Sequence, residues 1–110
     1  YLKLEKKSYE VVFQSRFGKA EWLQPYLAER LQKLPKENIK NIQVFCPGFV
    51  CDCLETLEEI AGESKELFLE SGGSIFNFIP CLNGDDKFIK TLENIIIDAD
   101  QRSLDYITLL

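Results

Sequence analysis

The sequence runs to 110 residues, room for one compact domain near the lower end of the size at which a single apolar core sustains itself. A hydrophobic fraction of 45% and a charged fraction of 28%, with no Pro- or Ser-rich stretch, exclude a low-complexity or disordered chain. The net charge of −5 excludes a nucleic-acid surface, because neutralising phosphates needs clustered Lys and Arg and only Lys3, Lys6 and Lys7 cluster; a cation or a neutral partner suits it better.

In chain order, residues 9–15 (Tyr9, Glu10, Val11, Val12, Phe13, Gln14, Ser15) are rich in β-branched and aromatic types and precede Gly18, the pattern of a buried strand entering a loop. From Trp22 to Leu34 the residues Leu23, Leu27, Leu31 and Leu34 recur at helical spacing until Pro35 stops them. An apolar run at Ile42 to Phe45 then meets a Pro47-Gly48 break. A helical stretch follows from about Asp52 to Leu69, with Leu54, Leu57, Ala61 and Phe68 as its expected apolar face. After Gly72-Gly73 comes a strand at Ile75 to Ile79, a loop at Pro80 to Asp85, and a helix carrying Phe88, Leu92, Ile95 and Ile96.

The sum is three βα units, at about 9–34, 42–70 and 75–98. Strands alternating with such helices predict an α/β fold: a three-layer α/β/α arrangement around a parallel sheet with right-handed crossovers. The nearly all-apolar strands predict a sheet buried on both faces. Ligand sites in open parallel sheets lie beyond the carboxyl ends of the strands. That rule selects the loops Gln14-Ser15-Arg16-Phe17-Gly18, Cys46-Pro47-Gly48-Phe49 and Pro80-Cys81-Leu82-Asn83-Gly84.

Four cysteines, Cys46, Cys51, Cys53 and Cys81, are compatible with free thiols, a metal or iron-sulfur site, or disulfides. Cys51 and Cys53 lie closer than the ligands of common zinc knuckles, and the sequence has no histidine to complete a mixed site, so free and mostly buried thiols are expected. No apolar run approaches the roughly 20 residues that span a bilayer. The first residues also lack the basic-then-apolar order of a secretory signal, so a cytoplasmic chain is expected.

Glu55, Glu59 and Glu63 follow an i, i+4, i+8 spacing and form a row along one side of the second helix. Such a row is usually a solvated face, and Asp52 followed by Glu55 also reads as a capping pair. Carboxylates nonetheless suit chemistry in which protons are accepted and a divalent cation is held loosely by hard oxygen ligands.

The three loops carry a further signal. Phe13-Gln14-Ser15-Arg16-Phe17-Gly18 with Ala20-Glu21-Trp22-Leu23-Gln24-Pro25-Tyr26, then Cys46-Pro47-Gly48-Phe49 leading into Asp52-Cys53-Leu54-Glu55-Thr56-Leu57-Glu58-Glu59-Ile60, and finally Ile79-Pro80-Cys81-Leu82-Asn83, resemble bacterial ferrochelatase in order and separation. The resemblance spans about residues 9–96. It implies a lyase that inserts ferrous iron into protoporphyrin or coproporphyrin to make haem, with iron as substrate, no cofactor required, and no iron-sulfur cluster expected from this segment. It also implies a chelatase-like, flavodoxin-like C-terminal domain of four strands. Residues 1–110 would then be part of that domain, lacking its first strand and with the N-terminal domain absent. The family places its catalytic histidine in that other half, so the chain alone is expected to be silent.

By the same resemblance Glu55 takes the inner role, assisting proton removal, and Glu55, Glu59 and Glu63 form a transient route for Fe2+. Gln14, Ser15 and Trp22 are implied to touch the porphyrin; a core Trp22 and a loop-turning Ser15 are the plainer readings. Arg16 is a candidate for a propionate, or equally for a surface ion pair. Some family members carry a histidine on the metal route where Cys53 stands, and Cys51 stands where small residues are common.

Partners expected are porphyrin, ferrous iron and the N-terminal half of the protein. The apolar end Asp105 to Leu110 is a candidate for peripheral membrane contact or for packing on its own domain, and unpaired strand edges invite self-association. The rival readings are a non-enzymatic flavodoxin-like binding module and a cobalt or sirohydrochlorin chelatase, because a βα pattern alone hosts many functions.

Overall fold

The computed structural model describes residues 3–14 and 23–100. Two strands, β1 (Asn41–Phe45) and β2 (Ile75–Ile79), pair in parallel with Asn41 beside Ile75 and Phe45 beside Ile79, which establishes an α/β fold built on a parallel sheet. The chain reaches β1 through helix α1 (Leu27–Lys33) and a tight turn at Leu34–Glu37. Between the strands lies a ten-residue π-helix (Glu55–Ser64) that continues as α2 (Lys65–Glu70), and α3 (Asp86–Asp100) follows β2.

Helix α1 begins at Leu27 rather than near Trp22. Pro25 disfavours helical geometry in the residue before it, and Tyr26 is held in an extended bridge to Phe13, so the helix cannot start earlier than Leu27 within the described residues. Leu27 and Leu31 are buried at i, i+4 spacing. Pro35 ends the pattern, and Asn38 closes the turn with a left-handed φ of 65° that its short polar side chain tolerates.

The second helical segment corrects the expected apolar face. Leu54 and Leu57 are exposed, and the buried residues are Thr56, Ile60 and Phe68. A π ladder bonds i to i+5, so each turn is wider than an α turn and residues four apart stay nearly in line. The 3.6-residue α period groups Leu54 with Leu57, but Thr56 and Ile60, four apart, share a side in either kind of helix, and packing against the core puts that side inward.

One core joins these elements: Leu27, Leu31, Ile60, Phe68 and Phe76, with Ile42, Val44, Leu67 and Phe78 packed against it. The rings of Phe68 and Phe76 meet tilted, with centroids 6.0 Å apart. Along β1 and β2 the inward residues Ile42, Val44, Phe76 and Phe78 alternate with exposed Phe45, Ile75 and Ile79. Among the described residues the helices therefore cover one face of the sheet, not both. The apolar side of α3 is also uncovered, with Ile95 59% exposed.

Residues 9–14 do not enter the sheet. Phe13 makes a single parallel bridge to Tyr26, donating its N–H to the Pro25 carbonyl at 2.9 Å and accepting the Leu27 N–H at 2.9 Å. Arg30 ties the same segment to the end of α1, reaching Glu10 at 2.9 Å and Glu37 at 3.0 Å. A groove of about 890 Å³ is lined on one side by residues of 4–12 and on the other by β1, which pairs only with β2 among the described residues. Strand propensity expresses fitness for a pleated, half-buried surface and needs a neighbour to pair with, and here the groove lies where that neighbour would be.

Candidate active site

Parallel, in-register strands deliver their following loops to the same edge, since Phe45 and Ile79 lie side by side. After β1 the chain turns at Cys46-Pro47-Gly48, where the Phe49 N–H donates to the Cys46 carbonyl at 3.1 Å. The Asn83 N–H then donates to the Val50 carbonyl at 3.0 Å, joining the loop after β2 to the loop after β1. Gln14 adds the third segment: its Nε2 donates to Glu59 Oε2 at 2.5 Å and lies 3.4 Å from the Glu55 carbonyl. The loops after β1 and β2 therefore meet, and Gln14, the one described residue of the third segment, reaches the helix that lies between the two strands.

The π-helix starts from a polar junction. Asp52 Oδ2 accepts from Asn83 Nδ2 at 2.7 Å, and Asp52 Oδ1 accepts the Cys81 N–H at 3.1 Å and lies 3.3 Å from Thr56 Oγ1. In return the Asp52 N–H donates to Asn83 Oδ1 at 2.8 Å. Fully buried Thr56 accepts the Cys53 N–H at 2.9 Å, and its hydroxyl points back toward the Cys53 carbonyl at 3.0 Å. The expected capping pair of Asp52 with Glu55 is not formed, because both halves of Asp52 are engaged by Asn83 and Cys81. Farther on, Asp85 caps α3 by accepting the N–H groups of Lys87 and Phe88 at 2.9 and 3.2 Å.

Glu55, Glu59 and Glu63 each stand one residue before the inward-facing row Thr56, Ile60 and Ser64, so the acidic row borders the core along the whole π-helix. All three are exposed, Glu55 included, which does not point into an enclosed hollow among the described residues. The Cys53 thiol and its own backbone amide hold the Glu55 carboxyl below the ordinary carboxylate range. Glu59 and Glu63 line an open depression of about 400 Å³ together with Phe13, Gln14, Tyr26 and Leu27. No three His, Cys, Asp or Glu side chains converge to hold an ion among the described residues.

The four cysteines are free. Cys81 is buried, Cys46 and Cys53 are half-buried and Cys51 is exposed, so the thiols are less enclosed than expected. Burial, with Asp52 beside it, pushes the Cys81 thiol up to about 11, and burial also raises Cys46, so both favour the protonated thiol near neutrality. Of the residues singled out for substrate contact, Gln14 is turned onto Glu59, while Ser15, Trp22 and Arg16 lie outside the described residues. Sequence reasoning missed Thr56 and Asn83. The adjacent Asn83-Gly84 pair was a visible turn signal, but nothing local announced its partner 31 residues upstream.

The junction has a pH consequence. Hydrogen bonds from Asn83 and from the Cys81 N–H hold the Asp52 carboxyl below its ordinary value of 3.8. A depressed folded-state pKa contributes stability that is complete above the unfolded value and is lost as pH falls through the folded one. The melting temperature should therefore fall on acidification below roughly pH 4, and more steeply than in an Asp52→Asn variant, which has no carboxyl to protonate there. Parallel acid-side slopes for the two proteins would contradict this.

A family model described as Ferrochelatase matches residues 1–100. Proteins named Ferrochelatase are 60% identical over 94 residues in Janthinobacterium sp. (strain Marseille) and 55% identical over 97 residues in Methylobacillus flagellatus. A third, from Herminiimonas arsenicoxydans, is 58% identical over 94 residues. These matches cover 86%, 88% and 86% of this chain but 26%, 28% and 26% of the relatives, so the chain spans about a quarter of the length of the curated relatives it matches. With the matched region taking in β1, β2, the π-helix and its row of carboxylates, the chain belongs to the ferrochelatase family.

Proposed function

We propose that this chain supplies one wall of a site that inserts ferrous iron into a porphyrin to form haem, within a protein of its relatives' length. The observation that carries the proposal is the row Glu55, Glu59 and Glu63, displayed on a π-helix at the carboxyl end of a parallel sheet. Exposed apolar side chains on the same loops, Phe49, Val50, Leu54 and Leu82, offer a surface suited to a flat macrocycle.

The overall change is Fe2+ plus porphyrin giving metalloporphyrin and two protons, the iron keeping its oxidation state. Two pyrrole N–H bonds break and the nitrogen lone pairs become iron ligands. Glu59 and Glu63, as hard oxygen donors not locked into a closed site, bind the cation and release it inward. Glu55, held ionised, is a weak base. Its work is to stabilise positive charge at the inner end and to pass protons on rather than keep them, opposite the histidine that family resemblance assigns to the other half of the protein.

Gln14, Ser15 and Trp22 are assigned to the porphyrin wall, Gln14 through its place beside Glu59. The reaction calls for no cofactor beyond its own substrate iron. Four free cysteines support a reducing compartment, the cytoplasm, and no helix among the described residues is long and apolar enough to cross a membrane. Contact with a membrane surface through Asp105–Leu110 is part of the same proposal.

The test is anaerobic incubation of the complete gene product with ferrous iron and protoporphyrin, and in parallel with coproporphyrin. Metalloporphyrin absorbance should rise well above the protein-free rate with one of them. The isolated 110-residue chain should add nothing to that rate and should self-associate through the open edge of β1. A complete protein that binds flavin and turns over neither porphyrin would overturn the proposal.

A further inference from the structure

We infer that Asp52 and Asn83 are a positioning pair, locking the loop after β2 onto the head of the π-helix so that Glu55 is presented at a fixed place, and that Asp52 is not itself a metal ligand. The inference rests on the role proposed for Glu55. Asp52 lies three residues before Glu55 and by composition alone would be the fourth member of the acidic row. Both of its oxygens already hold protein donors: Oδ2 accepts from Asn83 Nδ2 at 2.7 Å and Oδ1 from the Cys81 N–H at 3.1 Å, with Thr56 Oγ1 at 3.3 Å.

The pairing is reciprocal, because the Asp52 N–H donates to Asn83 Oδ1 at 2.8 Å, and Asn83 Nδ2 also donates to the Cys81 carbonyl at 3.1 Å. Asn83 sits at a left-handed φ of 50°, a geometry that Asn adopts more readily than most residues. The result is a two-way clamp across 31 residues of sequence, applied one helical turn before the inner carboxylate. Rotation of that turn moves Glu55 relative to anything bound beyond the strand ends.

The experiment separates positioning from charge. In the complete protein Asp52→Asn places an amide N–H against another donor whichever way it is turned. Iron insertion per folded molecule should fall about 10–100-fold, as expected for a catalytic group displaced by about 1 Å, with the KM for porphyrin little changed. The swap D52N/N83D restores both bonds between positions 52 and 83 with the charge moved to the other partner, and gives up only the bond to the Cys81 carbonyl, which a carboxylate at 83 cannot donate. It should recover part of the lost rate and stand clearly above D52N.

Asn83→Ala, which removes the same bonds from an exposed loop, is the parallel variant should D52N not fold. In an E55Q background either single variant should have little further effect, because the clamp acts through Glu55. A folded swap protein as poor as D52N would overturn the inference, as would full activity in D52N or N83A, or losses that simply multiply with that of E55Q. An E55Q protein with undiminished activity would instead remove the role proposed for Glu55, and the two failures are thereby distinct.

Discussion

Replacing Glu55 by Gln in the complete protein should lower the rate of iron insertion by about 10²- to 10⁴-fold, the range over which a positioned acid-base group contributes. The change is nearly isosteric and exposed, so the fold should persist; what it removes is the negative charge. In the folded protein that charge is favoured by the Cys53 thiol and by Glu55's own amide, and near neutrality the carboxyl is fully ionised. An amide at this place neither compensates a cation arriving along Glu59 and Glu63 nor accepts a pyrrole proton. Steady-state rates with ferrous iron and porphyrin, with porphyrin affinity measured separately by fluorescence quenching, check the prediction. Loss of porphyrin binding in step with rate would point to a binding role instead.

Phe68→Ala should destabilise the fold by about 3–5 kcal/mol, the largest effect expected of any single core change here. Phe68 is 0% exposed, meets Phe76 in a tilted ring contact, and belongs to the buried cluster among the described residues. Gly73 makes the complementary point. A Cβ there would run into the Phe68 ring, so Gly73→Ala forces either the ring or the backbone before β2 to move, at a cost of about 1–3 kcal/mol or more. Glycine is required at this position for space, not for an unusual φ. Denaturant unfolding of the two variants beside the parent checks both, and a midpoint unchanged in either would show that the Phe68 pocket is more yielding than its packing implies.

Much of the architecture was legible residue by residue. The apolar runs at 42–45 and 75–79, bounded by Pro and Gly, announced parallel strands, and their ends named the edge where the loops after β1 and β2 meet. The spacing of Glu55, Glu59 and Glu63 announced a row, because four-residue steps remain aligned in either an α or a π helix. The buried face of that helix was not legible: Leu54 and Leu57 carry the hydrophobicity, yet Thr56 and Ile60 are inside. Hydrophobic content marks the inward side of a helix only where packing against the rest of the fold agrees with it.

What the sequence determined by itself, then, was local and additive: strand and helix content, the breaks between them, the family, and which carboxylates share a helix side. Tertiary structure alone decided which partners those groups meet. Asp52 turned from a helix cap into half of a clamp because Asn83 approaches from the neighbouring strand end, Gln14 was drawn to Glu59, and residues 9–14 stayed out of the sheet. The physical reason is that propensity and periodicity act over one turn or one strand. Hydrogen-bond pairing across 31 or 45 residues depends on how whole elements pack, and no short window of sequence contains that information.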